Sequence, residues 1–191
     1  MAVGRDGARP LRADAARNRD RVLRVAYETF AAEGLTVPVD EIARRAAVGA
    51  GTIYRHFPTK EALYTAVVDH RLGEITTRGR ALLESEGPGG ALFAFLHAMA
   101  HEWASDHVLV AALAGSGIDV HTVAPDAERE VMALLGELLA AAQRAGTARA
   151  DLGVAELKAV LVGCQAIGAY GGPAAERATA VVTDGLRPRR P

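Results

Sequence analysis

The sequence predicts an all-α protein on three observations. Apolar residues recur every three or four positions along most of the chain, which is the spacing of one helix face. No segment shows the alternation of β-branched residues expected of strands, and no repeat of fixed period is present. Half of the 191 residues are hydrophobic, which is ample for a buried core. We therefore expect an N-terminal domain of three helices in a helix-turn-helix arrangement, followed by a C-terminal helical bundle, with about nine helices in total.

The first helix is predicted to follow a flexible basic arm over residues 1–13. It should run from Asp14 to Glu33, and Gly34 should end it. Its expected inner face consists of Ala16, Leu23, Ala26, Tyr27 and Phe30. Together with the next two helices it is expected to form one domain over residues 14–59.

Two short helices around a tight turn are predicted between Val39 and Leu63. Val48 and Gly49 separate two apolar stripes at helical spacing. The stripes are formed by Val39, Ile42, Ala43 and Ala46, and by Ile53 with Phe57. This pattern is typical of a helix-turn-helix unit, in which the second helix can enter a DNA groove.

The second short helix carries small residues at its start and hydrogen-bond donors after them. The small residues, which leave room for close approach to a groove, are Ala50, Gly51 and Thr52. The donors follow within about two helical turns and are Tyr54, Arg55, His56 and Lys60. Because such donors suit a phosphate backbone, and because the helix start faces bases in this motif, the pattern predicts DNA binding.

Two stretches resemble the TetR family of bacterial transcriptional regulators. They are RVLRVAYETFAAEG, from Arg21, and TIYRHFPTKEAL, which ends at Leu63. The resemblance implies that Tyr54, His56 and Lys60 hold phosphates, and that Ala50, Gly51, Thr52 and Arg55 face base edges or backbone. It also implies a homodimer on a palindromic operator, with a small-molecule effector bound by the C-terminal helices.

Three positions depart from the family pattern. Family members often have a glycine at the position of Ala47, a polar residue at Gly49, and a threonine or serine near Pro38. Because Pro38 has no hydroxyl, it cannot cap the helix that follows. With Gly49 also lacking a side chain, Thr52, Arg55 and Arg44 are the expected readers of sequence.

Charge is distributed unevenly along the chain. Residues 1–60 carry 11 Lys and Arg against 7 Asp and Glu, whereas residues 61–191 carry 11 against 16. The basic end is therefore the one with the predicted DNA-binding helix. Arg5, Arg9 and Arg12 of the arm fit phosphate or minor-groove contacts and, equally well, a solubilising tail.

The remaining helices are expected to form one ligand-binding and dimerisation domain over residues 60–186, followed by a flexible tail, 187–191. The fourth helix should run from about Thr59 or Lys60 to Ser85, where GPGG at residues 87–90 breaks the pattern. Five more are predicted at about Ala91–Ser105, Asp106–Ala114, Pro125–Ala145, Val154–Tyr170 and Pro173–Leu186.

The last two predicted helices are the expected dimer interface, because they are more apolar than isolated surface helices tolerate. Their apolar residues are Leu157, Val160, Leu161, Cys164, Ile167, Ala178, Val181, Val182 and Leu186. Ordinary packing within one chain explains the same pattern, so both interpretations stay open.

The fifth predicted helix is the expected wall of an effector pocket. Its apolar stripe comprises Leu92, Phe95, Leu96, Met99 and Trp103, beside His97 and His101. Plain core packing accounts for the stripe equally well, and the pocket is favoured only by the family resemblance. Further candidate pocket residues are Met132, Gln165 and Tyr170. His97 and His101 with Glu102 have the spacing of half a metal site, but further ligands are not evident, so no metal or cofactor is expected.

Other classes of protein find little support in the sequence. No apolar run is long enough to span a membrane, no signal peptide is evident, and the single Cys164 fits a reducing compartment, so we expect a cytoplasmic protein. No phosphate loop, nucleophile elbow or zinc-protease motif occurs, so no enzymatic activity is expected. The predicted function is a repressor released from its operator by an effector. The alternatives are a regulator without an effector and, in another class, an all-α ligand carrier or enzyme.

Overall fold

The computed structural model describes residues 8–101 and 124–188. Within these ranges the chain forms eight helices and no strand, which confirms the predicted all-α class. The helices are α1 (Ala8–Glu33), α2 (Val39–Arg45), α3 (Ala50–His56), α4 (Lys60–Ser85), α5 (Gly87–His101), α6 (Pro125–Arg144), α7 (Val154–Tyr170) and α8 (Gly172–Asp184). The helix predicted at 106–114 lies outside the described residues.

The chain forms two compact units, with the boundary between His70 and Arg71. Helix α4 contributes to both, since its first part precedes this boundary and its last part follows it. None of the helices in the described ranges is both long and apolar enough to cross a membrane.

Helix α1 begins at Ala8, so the predicted start at Asp14 was six residues too late. Pro10 does not prevent this, because the first-turn N–H groups of a helix have no partner within it, and a proline there loses no hydrogen bond. Residues 8–13, expected to belong to a flexible arm, are therefore helical.

The core of the first unit is built from the predicted apolar stripes. Leu23, Ala26 and Phe30 of α1 are buried, and so are all six residues of the two stripes of α2 and α3. The ring of Phe30 meets that of Tyr64 edge to face, with centroids 5.8 Å apart, and so joins α1 to α4.

The break between α4 and α5 is shorter than predicted. GPGG was expected to be a non-helical connection, but Gly87 to Gly90 form the first turn of α5, and only Glu86 separates the two helices. Gly87 has a φ of +68°, a left-handed conformation that glycine adopts without strain. Pro88 follows in the first turn, where its missing N–H costs nothing.

The second unit packs α5, α6 and α7 against one another, with α8 against α7 and α5. The predicted stripe of α6 is buried and comprises Val131, Leu134, Leu135, Leu138 and Leu139. At Gly79, α4 approaches α6 so closely that an added Cβ would overlap the side chain of Leu134.

The loop between α6 and α7 is tied to the start of α5 and to the segment that follows α8. Thr147 Oγ1 donates to the carbonyl of Gly89 at 2.9 Å, and Arg149 N donates to the carbonyl of Leu186 at 2.9 Å. Within the loop, Gln143 Nε2 donates to the carbonyls of Arg149 (3.1 Å) and Leu152 (2.9 Å). The carbonyls of Arg149, Leu152 and Leu186 lie outside the helices, so three of these bonds satisfy groups that no helix satisfies.

Candidate nucleic-acid interface

The turn between α2 and α3 depends on a left-handed residue. Ala47 has a φ of +52°, the one positive value at a non-glycine residue in the described part of the chain. Its N–H donates to the carbonyl of Arg44 at 3.2 Å, and the N–H of Val48 donates to that of Ala43 at 3.0 Å. This hydrogen-bonded reversal allows α3 to begin at Ala50, three residues later.

The start of α3 is small and open. Gly49 is the N-cap residue and offers no side-chain hydrogen bond. Gly51 is exposed, and a Cβ added there would meet nothing within 4 Å. Ala50 and Thr52 are half-buried, so the start presents little side-chain bulk to a groove.

The predicted donors lie on the outer face of α3 and at the start of α4. Tyr54 is 46% exposed, Arg55 and His56 are exposed, and Lys60 is half-buried in the first turn of α4. On the opposite face Ile53 is buried and anchors the helix. The structure therefore holds these four donors on a short segment whose inner side is fixed in the core.

Helix α4 begins with a side-chain cap next to this surface. The hydroxyl of Thr59 accepts a hydrogen bond from the N–H of Ala62 at 3.0 Å. Such a cap stabilises a helix start by about 1 kcal/mol. The cap fixes the first turn of α4 and, with it, the backbone of Lys60.

One further cation lies next to the end of α3. The guanidinium of Arg19, on α1, lies over the ring of Phe57 with 5.7 Å between its Cζ and the ring centroid. Arg19 is exposed, so its charge is accessible beside the predicted phosphate-binding residues. No pattern in the sequence indicates this contact, because Arg19 and Phe57 lie on different segments of the chain.

An ion-pair network joins the end of α1 to α2. Arg45 bridges Glu33 and Glu41, and Arg44 contacts both carboxylate oxygens of Glu41, with distances of 2.7 and 2.8 Å. Hydrogen bonds from Arg44, and then from Arg45, lower the pKa of Glu41 from 4.5 to about 2. Arg44, expected as a reader of bases, is therefore held by Glu41 in this structure.

The predicted effector-pocket residues that the structure describes differ in their burial. Phe95 and Met99 are fully buried, Met132 is half-buried, His97 is exposed, and Tyr170 is 92% exposed. Trp103 and the side chains of His101 and Gln165 lie outside what the structure describes. The stripe of α5, as far as it is described, packs as core.

A small cavity of about 10 Å³ lies elsewhere in the second unit, between α4, α6 and α7. Its apolar lining comprises Leu72, Val131, Met132, Leu135, Leu161 and Val162. Glu128 of α6 and Lys158 of α7 complete the wall and form an ion pair of 2.7 Å. Among the predicted pocket residues whose side chains the structure describes, Met132 alone lines this cavity.

Comparisons with known proteins assign both units. The family of bacterial regulatory proteins named tetR matches residues 22–67. A second family, described as the C-terminal domain of SbtR-like transcriptional regulators, matches residues 87–188, which is more than half of the chain.

Two solved structures and one curated sequence illustrate the similarity. A TetR transcription regulatory protein from Mycobacterium vanbaalenii is 59% identical with a TM-score of 0.76, over 93% of this chain and 99% of that one. A TetR transcriptional regulator from Streptomyces coelicolor is 32% identical with a TM-score of 0.68, over 90% of this chain and 99% of that one. An HTH-type transcriptional regulator from Staphylococcus aureus is 35% identical over 69 residues, 36% of this chain. The chain spans only 37% of that regulator's length.

Proposed function

The chain belongs to the TetR family of transcriptional regulators, and from that premise we propose that it is a cytoplasmic, homodimeric repressor. It binds a palindromic operator through α3 and leaves that operator when a small molecule binds the second unit. The observation that carries the proposal is the outer face of α3, where exposed donors lie opposite the buried Ile53.

The proposal gives the α3 residues two roles. Tyr54, His56 and Lys60 hold phosphates, which fixes the position of the helix without reading sequence. The bases are contacted from the helix start, where Ala50 and Gly51 allow close approach and Thr52 and Arg55 supply donors.

Alanine and phenylalanine variants test these roles on an operator selected from genomic DNA fragments. Tyr54→Phe, His56→Ala and Lys60→Ala should weaken binding to all duplexes alike, and Lys60→Ala should lower the salt slope by about one. Thr52→Ala and Arg55→Ala should instead relax preference at particular base pairs, at a cost of about 1–3 kcal/mol.

A matched control and a contrary result complete this test. Arg144→Ala removes one exposed positive charge from the end of α6 and should leave operator affinity unchanged. A change of base preference in Lys60→Ala, with general affinity intact, would contradict the phosphate role.

Exposed apolar residues of α7 and α8 support dimerisation. Val181 is 72% exposed and Tyr170 92% exposed, and Ile167 and Val182 are half-buried. Other residues of the predicted interface pack inside the same chain. Leu157, Leu161, Cys164 and Leu186 are buried there and are not available to a partner. The exposed residues fit a self-complementary contact, and two-fold symmetry matches a palindromic operator, with α3 helices about 34–36 Å apart or a multiple of that spacing.

Sedimentation at micromolar concentration tests the dimer. Val181→Asp should shift the protein towards monomer because it buries a charge in the contact. Ala32→Asp, which adds the same charge at an exposed site of α1, should leave the dimer intact. A protein that is monomeric before any substitution would contradict the dimer.

The small cavity favours a second candidate function, a repressor without an effector. A volume of about 10 Å³ holds little more than one water molecule, so an organic effector has to open it. By linkage, an effector that weakens operator binding tenfold must favour the released state by about 1.4 kcal/mol. A ligand screen in which no compound changes operator affinity would favour the second candidate.

A further inference from the structure

Arg19 is the residue through which α1 contacts the end of α3. Its guanidinium lies over the ring of Phe57, with 5.7 Å between Cζ and the ring centroid. Phe57 follows α3 as its C-cap residue, and its N–H donates to the carbonyl of Ile53 at 2.7 Å. Phe57 is buried, and the face of such a ring attracts a cation. Arg19 is therefore held beside the end of α3, although it belongs to another helix.

The charge of Arg19 is not neutralised by an acidic neighbour. The attraction to the ring uses none of the five N–H donors of the guanidinium. Within the residues that the structure describes, Arg19 has no ion pair and no hydrogen bond, and it is exposed. Arg44 and Arg45 of α2, by contrast, are both paired with Glu41. Arg19 therefore offers its donors to the solvent side of the first unit.

The neighbours of Arg19 indicate what these donors bind. The same ring of Phe57 contacts the imidazole of His56, with ring centroids 6.2 Å apart. His56 is exposed in the last turn of α3, and the proposed function assigns it to a phosphate. Two groups with free donors, one from α1 and one from α3, thus lie against one buried ring. The forked donors of an arginine match a phosphate, which accepts two of their hydrogen bonds at once.

We propose that Arg19 holds a phosphate of the DNA backbone beside the end of α3, so that α1 belongs to the DNA-binding surface. The ring of Phe57 positions the guanidinium before DNA arrives, and less side-chain freedom is therefore lost on binding. This role rests on the proposed DNA binding by α3 and adds a contact that the helix-turn-helix unit does not supply. Because the contact is to a phosphate, it adds affinity without reading sequence.

Salt titrations with the selected operator and with a duplex of random sequence test the contact. Arg19→Gln should weaken binding to both duplexes alike, about tenfold near 0.1 M salt, and lower the salt slope by about one. Arg19→Lys should keep the salt slope, because the charge remains, and lose part of the affinity, because lysine lacks the forked donors. Arg24→Gln is the matched control. It removes the same charge from another exposed site of α1, on a different helix face, and should change neither quantity.

Neutral methylphosphonate linkages, placed one at a time along each operator strand, locate the phosphate. At one position in each half-site the wild type should lose affinity on this replacement, whereas Arg19→Gln should not. Lys60→Ala should remain sensitive at that position, because Lys60 is assigned to a different phosphate. A structural role of Arg19 would weaken binding without removing the sensitivity to a single linkage, and circular dichroism should show the same helical content in all variants.

The results separate this inference from the proposed function. If Lys60→Ala weakens operator binding and Arg19→Gln does not, the proposed function stands and the Arg19 contact is overturned. The same sensitivity of Arg19→Gln and the wild type at every methylphosphonate linkage would also overturn it. So would a changed base preference in Arg19→Gln, because a phosphate contact carries no sequence information. A wild-type protein that binds no DNA would refute both proposals.

Discussion

Replacing Ala47 by glycine should stabilise the first unit. An L-residue in the left-handed conformation costs about 1–2 kcal/mol, and Ala47 has a φ of +52°. Glycine removes that strain but loses about 0.5–1 kcal/mol more conformational entropy on folding. The expected net gain is about 0.5–1 kcal/mol. Because Ala47 is exposed, its methyl group contributes little packing that glycine would forfeit.

Urea and thermal unfolding of a three-member series at this position provide the assay. Ala47→Gly should raise the midpoint by about 1–4 °C, given about 2–4 °C per kcal/mol for a chain of this size. Ala47→Val should lower it, because a β-branched residue is more strained at positive φ. Since wild type and both variants share one site, contributions from neighbouring contacts largely cancel.

Destabilisation by both substitutions would contradict a strained, left-handed Ala47. Glycine at an ordinary helical site costs about 0.5–1 kcal/mol relative to alanine, so a loss of that size in Ala47→Gly would mean that the residue is not left-handed in solution. Operator affinity should be unchanged in Ala47→Gly, because the side chain removed is a single methyl group.

Three further predictions concern packing, charge and a buried amide. Gly79→Ala should destabilise by about 1–3 kcal/mol because its Cβ would overlap Leu134, whereas Gly73→Ala, with nothing within 4 Å, should stabilise by up to about 1 kcal/mol in the same thermal assay. The pKa of Glu41 is lowered from 4.5 to about 2, so its arginine contacts stabilise the protein above pH 4.5 and are lost as pH falls through about 2. Between pH 4.5 and about 2 the Glu41→Gln variant should therefore lose less stability than the wild type. Equal losses in the two proteins would contradict this role of Glu41. Gln143→Ala should cost about 1–3 kcal/mol in urea unfolding because two loop carbonyls lose their donor, and a change below 0.5 kcal/mol would mean that water replaces the amide.

The sequence predicted most of the first unit because its information there is local. The spacing of apolar residues from Val39 to Phe57 predicted α2, the turn and α3 at their observed positions. Every residue of the two apolar stripes is buried. The observed bounds of α4 and α7 agree with those predicted, and recognisable chemistry lies at one end of each: the hydroxyl cap of Thr59 before α4 and Gly171 after α7.

The start of α1 and the GPGG connection were predicted wrongly. Residues 1–13 were expected to form a flexible arm, and GPGG was taken as a helix breaker, although Pro10 and Pro88 lie in first turns, where proline is tolerated. Their effect depends on position within the helix, which periodicity alone does not fix.

The contacts that joined distant segments were missed altogether. Arg19 over Phe57 and Lys158 beside Glu128 are separated by 38 and 30 positions in sequence. Only the packing of the helices brings such residues together, and one sequence contains no signal for it. The Glu41 contacts with Arg44 and Arg45, by contrast, follow helical three- and four-residue spacing and were predictable.

The open start of α3 has a consequence for how this regulator can diverge. The position of Gly51 accepts a side chain without meeting any neighbour within 4 Å, and it lies on a helix that Ile53 fixes from the other side. New side chains can therefore be tried at this position while the fold stays intact. Under the proposed role of α3 in contacting bases, duplicated copies of the gene can acquire different target sites through single substitutions here, and the same position is a starting point for engineering a regulator with a chosen DNA target.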